Sequence, residues 1–247
     1  MFGSTTLQKG TKSPEVEELQ IRLSGFSGGI FDGDFGGGTE KQVSQFQTDY
    51  MKVAPTGIAD TAVFVALDKF ANQFPFDFNK LKCECGKCGG FGKGINKGVY
   101  IDGKPKVEAY HLYEYPGIHR ALLWSIRALF FYNPQFKFVV SCGYRCSIRN
   151  KQKGRTTTNH MGKAVDIDTI LGAGDDKKDD MERSDLIRSV GVAKSNAQIG
   201  WAVAGKKSFE PSNISPTWVH YDVRELVAKY LEDRFFCKDL SSLNAMK

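Results

Sequence analysis

The chain has 247 residues, 41% of them hydrophobic, and its 34 lysines and arginines exceed its 28 acidic residues to leave a net charge of +6. That length accommodates two compact domains, one small and one of about 150 residues. No stretch reaches the roughly 18–20 apolar residues of a membrane span, and the longest candidate, residues 121–131, is interrupted by Arg127. Membrane insertion is therefore not expected. A basic surplus suits an anionic partner. Nucleic acid is not expected in that role, because the cations are scattered apart from Lys151-Gln152-Lys153-Gly154-Arg155 and no finger, homeodomain or RNA-binding signature is present.

The first predicted element begins at Ser13-Pro14-Glu15-Val16, with Ser as N-cap, Pro in the first turn and an acid near the positive end of the helix dipole. Val16, Leu19, Gln20 and Leu23 follow at helical spacing. Phe31-Asp32-Gly33-Asp34-Phe35-Gly36 reads as a tight turn. Thr39-Glu40-Lys41-Gln42 reads as a capping box opening a second helix with Val43 and Phe46. A third helix after Pro55-Thr56-Gly57-Ile58-Ala59-Asp60 carries Val63, Leu67 and Phe70, and residues 74–78 mark the end of a linker.

Beyond the linker, residues 97–107 have hairpin character around Asp102-Gly103. A helix over 116–131 and a strand over 136–141 follow, then a strand over 164–167. Residues 172–185 read as a charged, exposed and mobile loop. A helix over 181–192, strands over 199–203 and 218–223, and a closing amphipathic helix over 224–236 complete the chain. Helices against an antiparallel sheet make this second part α+β, behind a small all-α part.

The segment Leu19-Gln20 to Leu23, Asp32-Gly33-Asp34-Phe35-Gly36, Thr39-Glu40 and Val43 to Phe46-Gln47 together resembles the three-helix peptidoglycan-binding domain over about residues 15–70. The resemblance implies a cell-wall partner. Tethering to an insoluble polymer raises the effective concentration of whatever follows.

Two further motifs carry chemistry: Thr156-Thr157-Thr158-Asn159-His160-Met161-Gly162-Lys163-Ala164-Val165-Asp166-Ile167 and Trp218-Val219-His220-Tyr221-Asp222-Val223. Two histidines and a carboxylate beside short apolar runs are the usual three protein ligands of a catalytic zinc, which keeps its fourth position open. The chain has only four histidines, His111, His119, His160 and His220, and for any one of them a packed or surface role is the commoner one. Alternation puts Asp166 and Asp168 on one strand face, and His220 and Asp222 on another.

His-x-Gly-x-Ala-x-Asp, preceded by Ser141-Cys142-Gly143-Tyr144-Arg145 and followed by the late Val-His-x-Asp-Val, resembles the zinc D-Ala-D-Ala carboxypeptidase and endopeptidase family. That family includes many phage endolysins and shares its fold with the hedgehog signalling domain; the resemblance covers about residues 76–229. It implies that His160, Asp166 and His220 hold zinc. It also implies that Arg145 contacts the scissile carbonyl oxygen and stabilises the charge developing there. The sequence departs from the pattern twice. The family has one more residue between the first His and Gly. Many members also carry an acid three residues before the late His, or a His two before it, where this chain has Thr217 and Trp218. The motif thus leaves the general base unassigned. Asp222 is the first candidate, with orientation of a ligand as its alternative, and Glu210 is the second.

Cys83-Glu84-Cys85-Gly86-Lys87-Cys88 is dense, Cys142 and Cys146 flank Tyr144-Arg145, and Cys237 stands near the end. Cys83, Cys85 and Cys88 suit a second, structural zinc with a fourth ligand from elsewhere. Disulfides or free thiols are the alternatives.

The sequence therefore predicts a monomeric, modular peptidoglycan hydrolase of the endolysin kind. Residues 1–73 would bind the wall, and residues 74–247 would form a zinc peptidase cleaving an amide bond in the peptide stem or cross-link. The N-terminus has no basic patch followed by an apolar core. Synthesis in a host cytoplasm without a signal peptide and action on the wall are accordingly expected. The rival readings are a non-catalytic wall-binding or virion structural protein with a degenerate zinc site, and a disulfide-stapled secreted protein.

Overall fold

The computed structural model describes residues 5–92, 100–101, 104–105, 114–170, 177–200 and 203–245. The N-terminal part contains α1 (Pro14–Arg22), α2 (Gly37–Phe46), which runs on into a π-helical turn to Met51, and α3 (Thr61–Gln73). Ser13 caps α1 by accepting from the Val16 amide, and Asp60 caps α3 by accepting from Val63 at 3.1 Å. The second helix opens earlier than the capping box predicts: Gly36 is its N-cap. The Thr39 hydroxyl is used otherwise, accepting from Gln20 Nε2 at 3.0 Å and donating to the Asp34 carbonyl. It thereby ties α1, the glycine turn and α2 together. Val16, Leu19, Phe35, Val43, Phe46, Val63, Leu67 and Phe70 are all fully buried between these helices.

The chain continues through α4 (Phe78–Leu81), the short hairpin β1 (Tyr100–Ile101) and β2 (Lys104–Pro105), β3 (Ile118–His119), α5 (Arg120–Tyr132) and β4 (Lys137–Cys142). Then come α6 (Ser147–Gln152), β5 (Ala164–Ile170), α7 (Lys177–Ser195), β6 (Gln198–Ile199), β7 (Ser208–Phe209), β8 (Val219–Asp222), β9 (Phe236–Cys237) and α8 (Leu240–Asn244). The central sheet has the order β4-β5-β8-β7-β6. It is mixed rather than purely antiparallel, because β6 runs parallel to β7. One face is apolar: Val165, Ile167, Phe209, Val219 and Tyr221 are buried, Phe209 stacks on Tyr221 at 4.1 Å, and α7 packs against β5 and α5. Strand alternation sends the intervening side chains to the other face, which is where the site lies.

Three expectations need correction. The helix predicted over 181–192 begins at Lys177, inside the stretch predicted as loop, while the preceding residues 171–176 lie outside those described. The strand predicted over 199–203 ends at Ile199, with residues 201–202 outside those described. No closing helix forms over 224–236. That stretch breaks into two 3-10 turns and β9, which pairs with β3 through Ile118 with Cys237 and His119 with Phe236. Its aromatics are better buried this way: Phe236 stacks on Tyr115 at 4.1 Å, and Phe235 on the His119 ring at 5.8 Å. Tertiary packing overrode an amphipathic pattern.

The two parts of the chain are joined by a dense interface. Trp124, Phe131 and Tyr132 of α5 meet Phe26 and Phe70 of the helical part at ring separations of 5.6–6.3 Å. Glu18, 3% exposed, lies between Arg22 at 2.8 Å and Arg120 at 2.7 Å. Arg120 also donates to the carbonyls of Leu243 and Ala245, and Arg22 to that of Asn244, so the C-terminal turn is drawn into the same knot. Arg127 Nε donates to the Phe74 carbonyl at 3.0 Å, fixing the connection itself.

Candidate metal centre

Register builds the site. Across β4, β5 and β8, Cys142 pairs with Asp166 and Asp166 pairs with His220. The row extends into the residue after β7, since Glu210 donates its amide to the His220 carbonyl at 3.1 Å. A bulge between Val140 and Cys142 brings Cys142 into line. Four chemically competent side chains therefore come from four neighbouring backbone segments, and no two of those segments adjoin in sequence.

His160 arrives from the turn before β5. Gly162 allows that turn: its φ is +115°, and a Cβ there would lie 2.6 Å from the Gly117 carbonyl oxygen. This tight corner accommodates the shortened interval between His160 and Asp166, whose Nε2 and Oδ2 stand 3.3 Å apart. His160 Nδ1 lies 2.9 Å from the Gly143 carbonyl, which fixes the ring and turns Nε2 toward Asp166. His220 Nδ1 lies 2.6 Å from Asp166 Oδ1. His160, Asp166 and His220 are thus brought together around one carboxylate. His119 is elsewhere, and burial pushes its pKa down to about 3, the mark of a neutral packed imidazole; His111 lies outside the described residues.

The three side chains perturb one another strongly. Burial disfavours the Asp166 carboxylate, but His160 and His220 outweigh it and hold its pKa far below the usual carboxylate range. Burial likewise disfavours charge on His160, yet Asp166 and Cys142 raise its pKa to about 10. A divalent ion bound here would displace protons from these imidazoles. The donor set of imidazole nitrogen and carboxylate oxygen suits zinc. Cys142 Sγ also joins: ligand atoms of Cys142, His160 and Asp166 lie within 4.8 Å of one another.

Two clefts meet at Asp166 and Arg145. One, of about 470 Å³, is lined by Lys80, Lys82, Tyr144 and Arg149; the other, of about 350 Å³, by Asn159, Glu210, Trp218, His220 and Arg224. The Arg145 backbone is pinned, its amide donating to the His160 carbonyl at 2.8 Å, while its buried Nε has no hydrogen-bond partner among the described residues. Asp222 is fully buried on the far side of His220, 3.1 Å from Nε2 and paired with Arg224. Glu210 is 18% exposed, opens onto the cleft, and lies 4.0 Å from His220 Nε2.

A second group lies close by: the ligand atoms of Cys83, Cys85, Cys88 and Cys146 all lie within 4.8 Å of one another. The sequence offered the first three with an unspecified fourth; Cys146 supplies it. Neither Cys146 nor the approach of Cys142 to the histidine group was foreseen from the motif, although both flank the Tyr144-Arg145 that the motif singled out.

Fold and site together describe an α+β protein with an N-terminal helical domain and two groups able to hold metal ions. Residues 12–67 match the family model described as a putative peptidoglycan binding domain, so this part of the chain is a peptidoglycan-binding domain. No curated protein matches the chain. No helix among the described residues is long and apolar enough to cross a membrane.

Proposed function

We propose that the protein is a peptidoglycan hydrolase of the endolysin kind, in which residues 1–73 hold the wall and residues 74–247 cleave an amide bond of its peptide stem or cross-link. The carrying observation is the convergence of His160, Asp166 and His220 beside Arg145, at the junction of two clefts, in a chain that bears a peptidoglycan-binding domain. His160, Asp166 and His220 would hold a zinc ion, which when bound would supply a Lewis acid for the carbonyl and lower the pKa of water to about 7. Arg145, which lines both clefts, would offer its guanidinium to the carbonyl oxygen, where charge builds up in the transition state. Glu210 takes the proton of the attacking water and returns it to the leaving amine. Asp222 acts differently, as a positioning residue: it holds His220 Nε2 so that Nδ1 faces Asp166. The basic lining of the larger cleft suits the carboxylates of a stem peptide.

A second reading rests on Cys142. A fourth protein ligand would close the site to water and leave a wall-binding protein without hydrolysis. Mass spectrometry of fragments released from purified peptidoglycan, with and without a zinc chelator, separates the two. The hydrolase gives new stem-peptide termini that vanish on chelation, and His160→Ala or His220→Ala abolishes them while the protein still pellets with walls. Intact stems from metal-loaded protein would establish the second reading.

A further inference from the structure

Cys83, Cys85 and Cys88 sit on one tight loop, and Cys146 lies 61 positions beyond Cys85, just past the end of β4. Two backbone bonds bring the segments together: the Tyr144 amide donates to the Leu81 carbonyl at 2.8 Å, and the Cys83 amide closes the loop onto the Gly90 carbonyl at 2.7 Å. The four thiols are buried, with Cys146 completely so. Four free thiols gain little from such convergence, and a disulfide needs only two. Cys85 and Cys146 approach to 3.4 Å between sulfurs, well beyond the roughly 2.05 Å of a disulfide bond. Tetrahedral zinc with Zn–S bonds of about 2.3 Å separates its sulfurs by about 3.8 Å, which is the scale of this cluster.

Two backbone amides donate to sulfurs of the group. The Lys87 amide donates to Cys85 Sγ at 3.3 Å, and the Cys146 amide to Cys83 Sγ at 3.4 Å. The first of these needs the chain to reverse within Cys85-Gly86-Lys87-Cys88, which Gly86 permits at φ +69°. Amide donors aimed at sulfur favour its anionic form, the form that binds metal.

We propose that Cys83, Cys85, Cys88 and Cys146 hold one thiophilic divalent ion of the zinc class, closed to solvent ligands, whose task is to fix the start of the Arg145 cleft. Cys146 follows Arg145 directly, so the ion anchors the backbone that presents the guanidinium and, through the Arg145 amide, the His160 carbonyl. The loop it closes also carries Glu84, which with Lys82 lines the same cleft. The proposal is independent of hydrolysis: a protein that cuts nothing would still carry this ion.

The test uses the full chain with the other group disabled. His160→Ala/His220→Ala protein, purified reduced with zinc present, should retain one zinc per chain by native mass spectrometry. A thiol-directed mercurial should release that ion to a zinc-sensitive dye. Cobalt loading of the same variant should give a thiolate-to-cobalt charge-transfer band, absent after adding Cys85→Ser/Cys146→Ser. Because the cysteine variant can fail to fold, the mercurial release is the deciding measurement. A metal-free double-histidine variant, an ion untouched by the mercurial, or peptide mapping that finds these cysteines in disulfides would overturn the proposal. Absence of hydrolysis by the unsubstituted protein with this ion bound and zinc in excess would count against the function proposed above and leave the thiolate site standing.

Discussion

The helical N-terminal part and the outer face of the sheet treat buried charge in opposite ways. At the helical interface Glu18 is enclosed by two arginines, and the arginines also donate to Asp68 and to the carbonyls of Leu243, Asn244 and Ala245. On the sheet, Asp166 is shared between two imidazoles that burial would keep neutral, Arg145 Nε has no hydrogen-bond partner among the described residues, and Glu210 faces a cleft. The first set of contacts holds the two parts of the chain together. The second gathers ionisable groups beside two clefts, where on the proposed function an ion and a substrate would bind.

Substitutions that separate chemistry from stability sharpen this contrast. The largest effect is expected at Glu210→Gln, which removes a proton acceptor without changing shape. Hydrolysis should fall about 10²–10⁴-fold, with zinc content and thermal midpoint unchanged. A variant of full activity would remove Glu210 from the mechanism. Glu18→Ala is the mirror image. It removes the carboxylate between Arg120 and Arg22, leaving Arg120 its backbone carbonyls and Arg22 its pairing with Asp68, and breaking a buried pair in this way costs about 3–5 kcal/mol, read as a lower urea midpoint. Activity per folded molecule should stay at the wild-type level, and a stability change below about 1 kcal/mol would deny the triad its structural role. The smallest effect is expected at Asp222→Asn, where loss of the carboxylate behind His220 should weaken zinc affinity about 10–100-fold. Excess zinc should restore the rate; a loss that zinc cannot rescue would make Asp222 a catalytic base after all.

Much of this was legible in the sequence, and the failures have physical causes. The helices of the N-terminal part follow from caps and spacing, and the mixture of helix and sheet from the apolar runs around residues 136–141, 164–167 and 218–223. Alternation alone put His220 and Asp222 on one face. It could not say that the Asp222 carboxylate is fully buried against His220 Nε2 and paired with Arg224, because those contacts depend on the folded arrangement. Cross-strand register was invisible as well. Cys142 and Glu210 enter the row only through pairing across β4, β5, β8 and the segment after β7, and no local signal reports such pairing. The expected helix over 224–236 failed because its aromatics found better partners in Tyr115 and His119, residues remote in sequence.

The Glu18 knot also bears on how the molecule would work along a polymer. A hydrolase on a flexible leash searches a volume set by leash length and cuts wherever it lands. Here the Phe74 carbonyl is gripped by Arg127, and α1 is clamped to α5 and to the C-terminal turn. On the function proposed above, the span between the wall-binding part and the cleft would then be set by the folded body. Such a molecule would act as a gauge, reaching only the stems at that distance from where it holds.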